Sequence, residues 1–427
     1  MSAFSVSKNI LFGLILVVVG ACSSTAVKPS AGGGATNNTG GATSSGGAIG
    51  SGGATSSGGT TSSGGTTSSG GATSSGGTTG SGGSSSRVDA GVTGGATAQD
   101  AGARDAASDT AGTGGSGLPA FILGADISSA LEAEGTGTKF YDNGVEKEIL
   151  QLLKDHGFNF IRLRTFHNPK ASGGYSASGY CDLAHTVTMA KRVKAARMGL
   201  FLDFHYSDNF ADPAHQVKPA AWTSLSFAAL TQALADYTKT VLLELQKQGA
   251  TPDMVQIGNE ITGGILWPDG KTYSPDNRDQ LAILLAAGIR SVREVDPAIR
   301  IVMHLDPCGD NTTTRWWLDS MFERGLDFPI LGESCYTEWQ GQPSVWQANY
   351  TDLLARYPKL SFMAAEYSQE KRAANDMVRS LGPRGLGTFI WEPTFFGETL
   401  FTAQGKDLTT NSLISVYDQM AKDYGLR

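Results

Sequence analysis

The stretch DMVQIGNEITGG, Asp253 to Gly264, ends an apolar run on Asn259 and Glu260, with glycines just beyond. A lone carboxylate is costly to bury, so Glu260 belongs at an open strand end. A second glutamate, Glu366, ends a comparable run, LSFMAAEYS (360–368). Two facing carboxyls suit cleavage of a glycosidic bond. One, kept protonated, gives its proton to the leaving oxygen; the other stabilises or attacks the anomeric carbon. Glu333, Glu370 and Glu392 compete for these roles, but Glu333 lies inside its run and Glu392 precedes a proline, which reads as structural.

Eight short apolar runs carry such residues. They are FILGADIS (121–128), NFIRLRT (159–165), GLFLDFHYS (199–207), DMVQIGNEI (253–261), RIVMHLD (300–306), FPILGESCY (328–336), LSFMAAEYS (360–368) and GTFIWEP (387–393). Helix-period segments lie between them, such as VEKEILQLLKDHG (145–157), LAHTVTMAKRVKAARMG (183–199) and FAALTQALADYTKTVLLELQKQG (227–249). Alternation of this kind predicts a parallel sheet, and eight units predict an α/β fold closed as a (β/α)8 TIM barrel. In such a barrel the site forms at the C-terminal strand ends. Those ends carry Arg162 and Arg164; Asp203, His205 and Tyr206; Asn259 and Glu260; His304 and Asp306; Tyr336 and Trp339; Glu366 and Tyr367; Trp391 and Glu392.

The barrel sequence occupies residues 118–427. Before it, residues 22–117 form a Gly/Ser/Thr tract, SGGATSSGGTTSSGG, with almost no large apolar residue. Such a tract cannot offset the entropy of ordering and predicts a disordered tether, with a reach of roughly 50 Å. Residues 1–21 place Lys8 ahead of an apolar core and end in Val19-Gly20-Ala21 before Cys22. This predicts an export signal too short to span a bilayer, and it resembles a bacterial lipoprotein signal with Cys22 as the lipidated residue. The expected destination is the outer membrane or cell surface, with contact to the membrane through that anchor alone.

Net charge is −7 with only 17% charged residues, which favours a neutral partner over nucleic acid. No His or Cys spacing makes a metal site, so no cofactor and no catalytic metal are expected. Cys181, Cys308 and Cys335 remain. A bridge between Cys308 and Cys335 requires neighbouring strands, and buried free thiols are the simpler reading.

The stretches IRLR, LDFHYSDNFADPAHQVKPAAW (202–222) and PDMVQIGNEITGGILWPDG (252–270), with GADIS (124–128) and WEP (391–393), resemble glycoside hydrolase family 53, the arabinogalactan endo-β-1,4-galactanases. The resemblance covers nearly all of the barrel. It implies a retaining hydrolase acting on β-1,4-galactan or arabinogalactan, with Glu260 as acid/base and Glu366 as nucleophile. By the same resemblance Arg164, His205, Asn259, Tyr336 and Trp391 orient the nucleophile and bind sugar. Some members hold calcium in a long loop after the seventh strand; here that connection is short and lacks an Asp/Asn cluster, so no calcium is expected. A monomer is expected. A β-mannanase or β-glucanase on the same barrel, and a surface glycan-binding protein without turnover, stay open as alternatives.

Overall fold

A computed structural model describes residues 118–427. The expected signal, the lipidated Cys22 and the tether lie outside the described residues. All eight apolar runs are strands: β1 (Ile122–Asp126), β2 (Phe160–Thr165), β3 (Gly199–Phe204), β4 (Met254–Ile257), β5 (Arg300–Leu305), β6 (Ile330–Cys335), β7 (Ser361–Tyr367) and β8 (Gly385–Trp391). They pair in parallel in the order β1-β8-β7-β6-β5-β4-β3-β2, and β1 pairs with β2 to close the barrel. The expected (β/α)8 architecture is therefore present.

Helices follow the strands: α1 (Ile149–Asp155), α2 (Leu183–Ala195), α3 (Phe227–Lys247), α4 (Arg278–Val295), α5 (Asn311–Glu323), α6 (Pro343–Arg356), α7 (Lys371–Arg379) and α8 (Ser415–Asp423). Four of their starts, those of α1, α2, α3 and α5, are set by side chains that accept the free N–H groups of the first turn. Asp182 does this for α2, Ser226 for α3 and Asp310 for α5. Glu148 caps α1 through Gln151 N at 2.9 Å. The helix predicted from 145 therefore begins at Ile149, and Val145–Lys147 is instead a strand. It joins a four-stranded sheet with Phe140–Asp142, Asp407–Thr410 and Phe401–Gln404, which ties the segment after β1 to the segment after β8.

Side chains alternate inward and outward along each strand. One residue from each strand forms a buried apolar floor: Ile122, Phe160, Phe201, Met254, Val302, Ile330, Met363 and Phe389. Two positions further along the strands the inward set changes character, to Gly124, Arg162, Asp203, Gln256, His304 and Gly332 on β1 to β6. The barrel is thus dry below and polar above. Gly124 is required at this step, because a Cβ there would stand 2.3 Å from the Phe389 ring.

Cys308 and Cys335 form a disulfide between the segment after β5 and the end of β6, with Cα atoms 5.2 Å apart. This corrects the expectation of free thiols at both. β5 and β6 are paired neighbours, which meets the geometric condition for a bridge. Cys181 is a buried free thiol.

Candidate active site

Glu260 is carried past the end of β4 by two left-handed residues, Gly258 (φ 87°) and Glu260 itself (φ 50°, ψ 54°). A side chain at Gly258 would place its Cβ 2.7 Å from Ile261 Cγ2. The left-handed glutamate is unusual for a non-glycine residue, and such strain concentrates where function demands it. The turn leaves Glu260 half-buried on the rim, with Oε1 accepting from Ser334 Oγ at 2.7 Å. Asn259 beside it is buried and donates from Nδ2 to Ala211 O at 2.8 Å.

Glu366 arrives by a different device. Counting inward positions from Met363 makes Ala365 inward and Glu366 outward. Yet β7 slips by one residue against both neighbours: Glu333 pairs with Ala364, while Ser334 pairs with Glu366. A bulge of this kind re-aims the side chain that follows it. Ala365 still points inward, since a Cβ at Gly332 would lie 2.9 Å from its Cβ. Glu366 also turns in, and Tyr367 points out, its hydroxyl 2.6 Å from Tyr417 OH.

Glu366 is held by two donors: Arg162 Nη1 reaches Oε1 at 2.7 Å and Tyr336 OH reaches Oε2 at 2.9 Å. Arg162 is fully inside the barrel. It also donates to Asp126 Oδ2 (3.1 Å), Asp203 Oδ2 (2.8 Å), Gln256 Oε1 (3.2 Å) and Asn259 Oδ1 (2.9 Å). A buried guanidinium of this kind is the cation that lets several carboxylates stay charged together. Burial alone would lift Asp203, but Arg162 and His205 overcome it and hold the carboxyl at about 2.

The two glutamates sit in unequal fields. Burial pushes Glu260 well above the usual carboxyl range, and the charges of Glu366 and Asp306 push it further. Burial also raises Glu366, but there Arg162 works in the opposite direction. With one proton between them, the proton stays on Glu260 and the charge on Glu366. The Tyr336 hydroxyl is itself raised well above its ordinary value, by burial first and then by both glutamates, so it remains a donor. The site therefore brings a protonated and a charged carboxyl within reach of one another's field, the division of labour that glycoside cleavage needs.

The other expected residues separate into two groups. Asn259 and Tyr336 touch the network directly. His205 donates from Nε2 to Asp203 Oδ2 at 3.1 Å, since its Nδ1 accepts Ala211 N at 2.9 Å. Trp391 ends β8 half-buried, edge-on to Phe396 at 4.5 Å between centroids. Arg164 stands elsewhere. Its guanidinium pairs with Glu392, lies 3.7 Å from Asp126 and stacks over Phe210 at 4.9 Å. The arginine that contacts Glu366 is Arg162, two residues earlier on the same inward face. His304, read from sequence only as a strand-end residue, belongs to the network, as do Ser334, Gln256 and Asp126, which were not singled out by sequence. Their signal was the inward period counted up from the floor. Glu333 is fully buried, accepting from Thr314 Oγ1 at 2.6 Å and Asn349 Nδ2 at 3.0 Å, and Glu370 stands just before α7 with a left-handed backbone (φ 55°).

Comparison with known proteins bears on this geometry. The sequence profile described as Glycosyl hydrolase family 53 matches residues 122–379. An uncharacterized protein from Niallia circulans is 42% identical over 246 residues, 56% of this chain and 65% of that protein's length. An arabinogalactan endo-beta-1,4-galactanase from Humicola insolens is 31% identical over 334 residues, 68% of this chain and 97% of the relative. Among solved structures, the GH53 catalytic domain of Ignisphaera aggregans superposes with a TM-score of 0.64 at 31% identity, covering 70% of this chain and 96% of that one. The chain is a glycoside hydrolase and belongs to glycosyl hydrolase family 53.

Proposed function

We propose that this hydrolase is an endo-β-1,4-galactanase that cleaves galactan with net retention. The observation that carries the reading is the asymmetry between the two glutamates, Glu260 half-buried on the rim and Glu366 buried beside Arg162. Glu366, anchored by Arg162 and Tyr336, attacks the anomeric carbon. Glu260, kept protonated by burial and neighbouring charge, gives its proton to the departing sugar oxygen. The Glu260 carboxylate then takes a proton from water, and that water releases the sugar from Glu366. Galactan as substrate is supported by the named galactanases among the relatives.

The same reading places the enzyme outside the cell on a lipid anchor at Cys22. The signal-like N-terminus favours export, and a disulfide at Cys308–Cys335 suits an oxidising compartment.

The test is a panel of purified polysaccharides with the product anomer followed by NMR. Reducing ends released from β-1,4-galactan, with the β-anomer appearing first, are expected. Faster release from β-mannan or β-glucan moves the enzyme to a sister specificity, and tight galactan binding without new reducing ends removes the catalytic reading.

A further inference from the structure

Ser334 and His304 take no part in the reaction as described so far, yet both are fully buried and line up behind Glu260. Ser334 Oγ lies 2.7 Å from Glu260 Oε1 and 2.9 Å from His304 Nε2. A hydroxyl has one hydrogen, so the His304 tautomer decides which way it points. Burial, with the nearby charge of Arg162, holds the His304 ring well below its ordinary value, so the ring is neutral and carries one hydrogen.

An ionised Glu260 can only accept. At 2.7 Å the single hydroxyl hydrogen of Ser334 then points to Oε1, which leaves a Ser334 lone pair toward His304 Nε2 at 2.9 Å. His304 Nδ1 lies between Asn259 Oδ1 at 2.9 Å and Gln256 Nε2 at 3.1 Å, an acceptor and a donor, so the ring can carry its hydrogen on either nitrogen. With the hydrogen on Nε2, His304 fills that lone pair and holds the hydroxyl toward Glu260.

We propose that His304 and Ser334 are a positioning pair for Glu260, which turn the Ser334 hydroxyl to Oε1 and hold the carboxylate formed when the acidic proton departs to the leaving oxygen. The inference rests on Glu260 being the acid/base. A donor to the ionised form makes Glu260 a better carboxylate for the second step than burial alone allows.

Other groups face Glu260: Glu366 from β7, Asp306 from the end of β5, Asp212 from the segment after β3, and Tyr336 after β6. Substitution at Ser334 leaves all of them in place. Ser334→Ala is therefore expected to move the alkaline limb of kcat/KM on galactan to higher pH, because the carboxylate loses a donor. Turnover limited by the second step falls about ten-fold or more. On an aryl β-galactoside with a good leaving group, kcat/KM stays within about three-fold, since its departure needs no proton. KM falls together with kcat as the glycosyl-enzyme accumulates. Ser334→Thr, which keeps the hydroxyl, restores the wild-type profile. An unshifted alkaline limb, or equal losses of kcat/KM on both substrates, overturns the proposal. If Ser334→Ala fails to fold, Ser334→Cys carries the same test with a weak donor. Glu260→Gln is measured alongside. Full galactan turnover in that variant defeats the acid/base reading, whereas an inactive Glu260→Gln with an unshifted Ser334→Ala defeats only the positioning role.

Discussion

Arg162 crosses the barrel interior from β2 to β7 and places Nη1 2.7 Å from Glu366 Oε1, while Nη2 lies 2.8 Å from Asp203 Oδ2. One planar fork therefore ties the proposed nucleophile to the polar layer. Lysine keeps the charge but not the fork. Arg162→Lys is expected to lower kcat on galactan by about a hundred-fold with the fold retained, as read by circular dichroism and steady-state kinetics.

Glu260→Gln and Glu366→Gln remove the proposed acid and the proposed nucleophile without changing shape. Each is expected to cut galactan turnover by about 10⁴-fold or more. They differ on an activated aryl galactoside. Glu260→Gln retains a rapid burst of leaving group followed by slow turnover, and Glu366→Gln shows no burst. Stopped-flow absorbance separates the two, and a burst in Glu366→Gln reassigns the nucleophile.

Gly332 leaves the space into which the β7 bulge packs. A Cβ there meets Ala365 Cβ at 2.9 Å and Val302 Cγ1 at 3.3 Å. Gly332→Ala is expected to press on the bulge and shift Glu366 away from its donors. Overpacking of this kind costs about 1–3 kcal/mol. The loss in kcat, measured beside the thermal midpoint, should exceed what that small destabilisation explains.

Glu333 offers a pH test separate from catalysis. Burial lifts its carboxyl from 4.5 to about 7. Between those values the folded chain holds a proton that the unfolded chain has released, so stability falls as pH rises through that window. The full effect is about 3 kcal/mol. Glu333→Gln should be less sensitive to pH from 4.5 to 7 and gain on the wild type toward pH 8 in chemical denaturation. Parallel curves for the two proteins would exclude a neutral Glu333.

The Cys308–Cys335 bridge closes a sequence separation of 27, worth roughly 3.5 kcal/mol by loop entropy. It also fixes the strand end that carries Ser334 and Tyr336. The double variant Cys308→Ser, Cys335→Ser should unfold at lower denaturant and lose activity before it loses secondary structure. Both are read in one titration.

Much of this was legible in sequence. The eight strands announced themselves because a barrel strand is short, apolar and ends on polar residues, and Glu260 and Glu366 stood at two of those ends. What failed to show was height and phase. Arg162 and Arg164 share one inward face, and only their different levels decide which meets Glu366 and which meets Glu392. The bulge at Ala365 changes phase within one strand, and nothing in LSFMAAEYS marks it. The VEKEIL stretch has helical spacing, but pairing with Phe140–Asp142 makes its first residues a strand. The disulfide depended on strand adjacency, which a list of cysteines does not contain.

Leu118, the first described residue, packs against the apolar floor beneath the strands, while both glutamates lie at the opposite, open end. The polypeptide thus enters this domain through its base. The rim that carries both glutamates is therefore clear of Leu118, and a long chain can lie across the open end of the barrel without meeting it.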